Sequence, residues 1–137
     1  MPFLYPNDQV KVQLLNDREE FPWLTLDTLS YQDPRSGEVY TVPKYFRTDG
    51  ASVPKALVCI PVVGPALFQR FFGEGVWKGF REGVLHDYLR RKRNGILPVK
   101  AEVAHRIFKQ ALEEAGYPYD LVESYYSAVV KFNSNDN

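Results

Sequence analysis

The first half of the chain places apolar residues at alternate positions, which is the pattern of β-strands. The segment VKVQLL (10–15) alternates over four residues, and WLTLDTLSY (23–31) alternates over its length. The polar segment QDPRSGE then has the composition of a turn, and EVYTVPKYF (38–46) is again rich in Val, Tyr and Thr. We predict a β-hairpin over residues 23–46. Its return strand should end at Pro43 or lie at a sheet edge, because proline has no N–H to donate.

The second half repeats apolar residues at helical spacing. We predict a helix over 76–93 that stops at Asn94-Gly95, a second over 98–116 between a proline and a glycine, and a third over 119–132. Because strands precede helices, the predicted class is α+β: a small antiparallel hairpin or sheet in the N-terminal half packs against about three α-helices in the C-terminal half.

The length of 137 residues predicts a single domain, 1–137. Within it, strands and the TDGASVP loop occupy 1–54, an apolar connector or short helix 55–75, three helices 76–132 and a tail 133–137.

Composition and charge limit the classes of partner and site that we expect for this protein. Seventeen basic residues balance seventeen acidic ones, so we expect no nucleic-acid partner. A single cysteine, Cys59, excludes an internal disulfide and a cysteine-built zinc site. The N-terminus has no signal-peptide pattern, and the longest apolar stretch contains two prolines and is too short for a transmembrane segment.

Two glycines, Gly79 and Gly83, accompany His86 and Asp87 on the first predicted helix. Glycine inside a helix costs about 1 kcal/mol relative to alanine, so we interpret the pair as permitting a close approach, although a bulky aromatic neighbour would explain it too. Helical spacing places His86 roughly opposite the expected core stripe, which consists of Trp77, Phe80, Val84 and Tyr88.

The second predicted helix carries a face of small residues, with His105 at its edge. Alanine opposite glycine allows two helices to lie close together, and the short NGILP connection favours antiparallel neighbours. We therefore expect His86 and His105 to approach each other. With a carboxylate they would form a divalent-metal site, for which we name His86, His105 and Asp87. A structural histidine at a helix boundary is the alternative for His105.

The segment TDGASVP (48–54) has two interpretations. In the first it is a strand-to-helix junction, where Gly50 permits the turn, Ser52 caps the helix and Pro54 starts it. The second adds the carboxylate of Asp49, which the cap does not need and which is available to bind a cation or orient an imidazole.

The segments VPKYFRTDGASVP, GVLHDYL and AHRIFKQALEEAG together resemble DUF1353, a family of small bacterial and phage proteins defined as a domain of unknown function. The resemblance extends over about residues 39–132, and TDGASVP is its longest match. It implies a phage or prophage origin. We further expect a location in the host cytoplasm or on a virion, and a phage or host protein as partner.

A weaker analogy concerns the order of three elements along the chain: a glycine-containing loop, a helix with a His-Asp pair, and an antiparallel helix. This order is similar to that in secreted phospholipases A2. In that family a helical His is the general base for water, the adjacent Asp binds calcium, and an Asp on the antiparallel helix orients the His. The analogy implies His86 as the base and Asp87 as the ligand. This chain departs from the pattern at His105, which stands where the orienting Asp would be, and it has no paired cysteines.

Two functions of different class follow. The first is a phage-encoded accessory protein with a hydrolase-like His-Asp pocket, active or vestigial, in which His86, Asp87 and Asp49 are catalytic and the substrate is a lipid or cell-wall component. The second is a non-catalytic virion component or partner-binding protein. The nine tyrosines and nine phenylalanines favour the second, because aromatic residues are frequent in interfaces.

Overall fold

A computed structural model describes residue 3 and residues 12–14, 23–48, 79–91 and 98–132. Within these ranges, five short strands precede three α-helices, which confirms the predicted α+β class. The strands are β1 (Val12–Leu14), β2 (Trp23–Thr25), β3 (Leu29–Gln32), β4 (Val39–Val42) and β5 (Arg47–Thr48). The helices are α1 (Phe80–Arg90), α2 (Ala101–Glu114) and α3 (Tyr119–Phe132). Most of the TDGASVP loop (49–54), the connector (55–75) and the tail (133–137) lie outside the described residues.

The strands form two small antiparallel sheets. In one, β2 lies between β1 and β5, and in the other β3 pairs with β4. Leu29 is opposite Val42 and Tyr31 is opposite Tyr40 in the β3–β4 pair. Leu29, Tyr31 and Val42 are buried, so this hairpin presents one apolar face to the core, as the alternating pattern requires.

The predicted single strand over residues 23–31 is two strands that belong to different sheets. The chain bends at residues 26–27, and the Asp27 carboxylate accepts a hydrogen bond from the backbone N–H of Thr28 at 2.8 Å. Such local side-chain bonds compete with strand pairing. The prediction of one hairpin over 23–46 was therefore wrong in this part, because only β3 and β4 form the hairpin. The return strand does end at Val42, directly before Pro43, as predicted.

The helix boundaries differ from the prediction at the N-terminal ends of α1 and α2 and at the C-terminal end of α1. Helix α1 ends at Arg90, before the predicted stop at Asn94-Gly95, because the backbone of Arg91 is already extended. Helix α1 begins after Gly79, which is its N-cap residue with φ +81°, and not at residue 76. Helix α2 begins after Lys100, not at the preceding proline. At its other end, Gly116 follows α2 in a left-handed conformation, which confirms the predicted stop.

Helix α2 packs between α1 and α3, and α1 also contacts β4 and β5. Helix α1 is consequently buried on nearly all sides rather than along one stripe. Its buried residues are Phe80, Glu82, Gly83, Val84, Leu85, His86 and Leu89. His86 thus lies in a second packed interface on the side away from Phe80 and Val84. No helix in the described ranges combines the length and apolarity that a membrane span needs.

Side chains of α2 hold the turn of the β3–β4 hairpin. Arg106 Nη2 lies 2.9 Å from Asp33 Oδ2, and Gln110 Nε2 donates to Asp33 Oδ1 at 3.2 Å and to the Tyr31 hydroxyl at 2.9 Å. Burial alone would raise the pKa of Asp33. The Arg106 guanidinium, the N–H of Arg35 and the other donors nevertheless hold that pKa well below its usual range. The β3–β4 hairpin and α2 are therefore joined by a charge-assisted bond between Arg106 and Asp33.

Candidate functional site

The structure brings His86 and His105 into direct contact between α1 and α2. His86 Nε2 lies 2.8 Å from His105 Nδ1, and the two rings are nearly parallel, with an interplanar angle of 20°. His86 has no exposed surface and His105 is 3% exposed. Gly83 and Ala104 are buried small residues of the two helices. The approach expected from the glycine and alanine faces is therefore present.

The His86 imidazole favours its neutral form. Burial, together with the smaller effects of the nearby His105 and Arg90, lowers the pKa of His86 to about 3. A single hydrogen bond joins the two rings when one donates an N–H and the other accepts it. The second ring nitrogen of His86, Nδ1, is buried and has no hydrogen-bond partner.

Asp87, although adjacent to His86 in sequence, points to a different part of the fold. Its Oδ2 accepts a hydrogen bond from the Thr48 hydroxyl at 2.7 Å and lies 2.5 Å from Arg91 Nη2. Arg91 also donates to the main-chain oxygen of Arg47. Asp87 therefore links α1 to strand β5, while His86 links α1 to α2. The structure does not bring the two side chains together at one centre.

The three side chains predicted to bind a divalent metal do not form a cluster in this structure. Asp87 is engaged with Thr48 and Arg91. His86 and His105 are joined by a direct bond of 2.8 Å, whereas nitrogens bound to one tetrahedral zinc at about 2.0–2.1 Å would lie roughly 3.3 Å apart. Across the described ranges, no group of three His, Cys, Asp or Glu residues is arranged to hold a metal ion.

A comparison with protein-family models matches residues 23–129 to the family described as "Protein of unknown function (DUF1353)". The chain belongs to the DUF1353 family. The match includes all three helices up to Val129 and the strands from β2 onward. No curated protein and no solved structure is significantly similar to the chain.

Of the TDGASVP segment of this DUF1353 chain, the structure describes the first residue, Thr48. Asp49, Gly50, Ser52 and Pro54 lie outside the described residues. Thr48, which directly precedes them, is buried at the end of β5 and donates to Asp87. The first residue of the TDGASVP segment is thus fixed to the helix that carries His86.

The two glycines singled out in this DUF1353 chain have different roles. Gly79 lies at the start of α1 with φ +81°, and a Cβ atom there would stand 2.5 Å from Cε2 of the Tyr125 ring. The residue that requires glycine at position 79 is thus an aromatic residue of α3, Tyr125. This agrees with the alternative interpretation, in which the glycine makes room for a bulky aromatic neighbour. Gly83 lies within α1, is buried, and donates its N–H to the Gly79 oxygen at 2.8 Å.

Glu82 is a buried ionisable residue that the sequence interpretation missed. It has no exposed surface; its Oε2 accepts from Arg81 Nε at 3.0 Å, and its Oε1 has no hydrogen-bond partner. Burial raises the pKa of Glu82, and the Arg81 guanidinium opposes that rise. The sequence signal was its position four residues before His86, which places both on one helix face.

Proposed function

We propose that this protein is a phage-encoded accessory protein with a hydrolase-like centre in which His86 is the base and His105 orients it. The observation that carries the proposal is the buried imidazole pair, in which His86 Nε2 is held by His105 and His86 Nδ1 has no partner. Buried ionisable groups with shifted pKa values are frequent in functional sites.

The chemistry proposed is the removal of a proton from water by His86 Nδ1. This requires the tautomer in which His86 Nε2–H donates to His105 Nδ1, so that the lone pair on Nδ1 is available. His105 contributes no negative charge to stabilise the imidazolium, and a pKa of about 3 makes His86 a weak base. We therefore expect slow turnover. A vestigial centre, which has lost turnover altogether, is the extreme case of the same proposal. The proposed substrate is a lipid or a cell-wall component.

In this proposal Asp87 is a positioning residue rather than a calcium ligand. Its carboxylate is engaged by Thr48 and Arg91, so it holds the start of the TDGASVP segment beside α1. Asp49 follows Thr48 directly and remains the predicted second carboxylate of the centre.

The test is turnover of phospholipid vesicles, short-chain esters and purified peptidoglycan by the full chain. His86→Gln should lower any turnover by about 100-fold or more, the usual contribution of a general base. Glu102→Gln, an exposed change on α2, is the control and should have no effect. Turnover that requires calcium and disappears in Asp87→Asn would instead support the phospholipase-like arrangement. Absence of turnover on all three substrates would refute an active hydrolase and leave only the vestigial form of the proposal.

A non-catalytic partner-binding role is the second candidate, favoured by the exposure of two tyrosines. Tyr45 is 62% exposed and has φ +68°, which is uncommon for a residue other than glycine, and Tyr119 is 75% exposed. Strained and exposed aromatic residues are typical of recognition sites. A stable complex with a phage or host protein that Tyr45→Ser weakens, and that His86→Gln and chelators leave unchanged, would support this role.

A further inference from the structure

Two buried polar atoms on α1 have no hydrogen-bond partner in the structure. Among the buried side-chain nitrogen and oxygen atoms of the described ranges, these are Glu82 Oε1 and His86 Nδ1. Both residues are completely buried. An unsatisfied buried polar group costs about 1–3 kcal/mol, so two on one helix call for an explanation beyond packing.

The two residues share one face of α1, because they are four positions apart. Side chains at this spacing have Cβ atoms about 5–6 Å apart. One oxygen atom that makes a hydrogen bond of about 2.8 Å on each side joins polar atoms up to roughly 5.5 Å apart. The reach of one water molecule is therefore of the same order as the separation of the two Cβ atoms.

Each side chain is fixed through its other polar atom. Glu82 Oε2 is held by Arg81 Nε at 3.0 Å, and His86 Nε2 is held by His105 Nδ1 at 2.8 Å. Neither group can turn to satisfy the second atom without breaking a bond that it already makes. The unpartnered atoms are thus held in place while remaining available to a ligand.

The environment favours a small neutral ligand. Both side chains lie in the protein interior with no exposed surface, where a neutral ligand costs less to bury than an ion. A carboxyl oxygen and an imidazole nitrogen can each form a hydrogen bond with a water molecule. A molecule that both donates and accepts satisfies them in any combination, and the complete burial of both residues favours one as small as water.

We propose that Glu82 and His86 together bind one buried water molecule, through Glu82 Oε1 and His86 Nδ1. The water completes a continuous chain of hydrogen bonds from Glu82 through His86 to His105, along which a proton can pass. This inference goes beyond the proposed function, because the water is expected whether or not the protein turns over a substrate.

The experiment measures long-lived water in the full-length protein, by ¹⁷O relaxation dispersion of the solvent and by NMR exchange peaks between water and the His86 ring protons. The wild type should show such a peak. Glu82→Met, which replaces the carboxyl with an apolar group of similar length, should remove it together with the contribution of one water. Glu102→Met, the same change at an exposed position of α2, should keep both.

The wild type alone makes the proposal falsifiable if Glu82→Met does not fold. No long-lived water near the His86 ring would overturn it. In a high-resolution crystal structure, a water oxygen within about 3.2 Å of both atoms would support it, and a water bonded to only one of them would overturn it. None of these outcomes depends on catalysis, so failure here and failure of the hydrolase proposal are distinguishable.

Discussion

Gly79 allows a quantitative test of how α1 packs against α3, through the substitution Gly79→Ala. Two separate costs apply. The backbone at φ +81° is left-handed, which costs a residue with a Cβ atom roughly 1–2 kcal/mol. The added Cβ would also stand 2.5 Å from Tyr125 Cε2 and 3.2 Å from Leu112 Cδ2, and overpacking of this kind costs about 1–3 kcal/mol.

Tyr125 has little room to move away from an alanine at this position. It is 1% exposed and its ring stacks on Phe108, with centroids 6.4 Å apart. We therefore expect Gly79→Ala to lower the free energy of unfolding by about 3 kcal/mol, the sum of the two terms. For a chain of 137 residues, this corresponds to a fall in Tm of roughly 10 °C. Urea denaturation followed by circular dichroism measures the first quantity and thermal denaturation the second.

The chain supplies matched controls for the conformational cost alone. Gly37 and Gly116 also have positive φ, at +79° and +84°, but a Cβ at either position would meet no atom within 4 Å. Gly37→Ala and Gly116→Ala should each cost about 1–2 kcal/mol. A cost for Gly79→Ala no greater than that of these controls would refute the overpacking against Tyr125. A second check is Tyr125→Leu, in whose background the extra cost of Gly79→Ala should shrink.

Three further predictions concern bonds described above. Arg106→Met leaves the Asp33 carboxylate without its cation but with its bonds from Arg35, Ser36 and Gln110. Urea denaturation at pH 7 should therefore show a loss of about 1–3 kcal/mol in the free energy of unfolding. Because the folded-state pKa of Asp33 is depressed, the full effect of Arg106→Met should appear above the usual Asp pKa and should diminish as the pH falls below it. An effect independent of pH would contradict the ion pair. His86 has a lowered pKa, so its protonation favours the unfolded state. The free energy of unfolding of the wild type should fall by up to about 2 kcal/mol between pH 7 and pH 5. His86→Gln should show a smaller change over the same pH range. Thr48→Val and Asp87→Asn should each destabilise the protein, and a double-mutant cycle should give a coupling of about 1 kcal/mol, whereas additive effects would show that the bond contributes nothing.

The order of the elements and the approach of the histidines were predictable from the sequence. Apolar spacing indicates strands before helices, and the small residues around His86 and His105 indicate a close helix pair. Both features depend on helix and strand periodicity, which is local information. The turn before β4 and the stop at Gly116 follow equally from residues with well-known conformational preferences.

Other features depend on individual hydrogen bonds and tertiary contacts, which periodicity does not contain. The break at Asp27 depends on a local bond that ends one sheet and begins another. The role of Gly79 depends on Tyr125, 46 positions later in the chain. The buried position of Glu82 was hidden because glutamate is usually exposed, and only the packing of α1 on all sides makes it internal.

The bonds between the hairpin turn and α2 also affect the order in which the protein folds. Asp33 and Arg106 are 73 residues apart in the chain, and Tyr31 and Glu114 are 83 apart. Contacts with such large sequence separation form only after a long segment of chain has been closed, and the entropy of that closure slows folding. The helices need only neighbouring residues to form their own bonds. We therefore expect the hairpin to take its final place after the helices have begun to pack together.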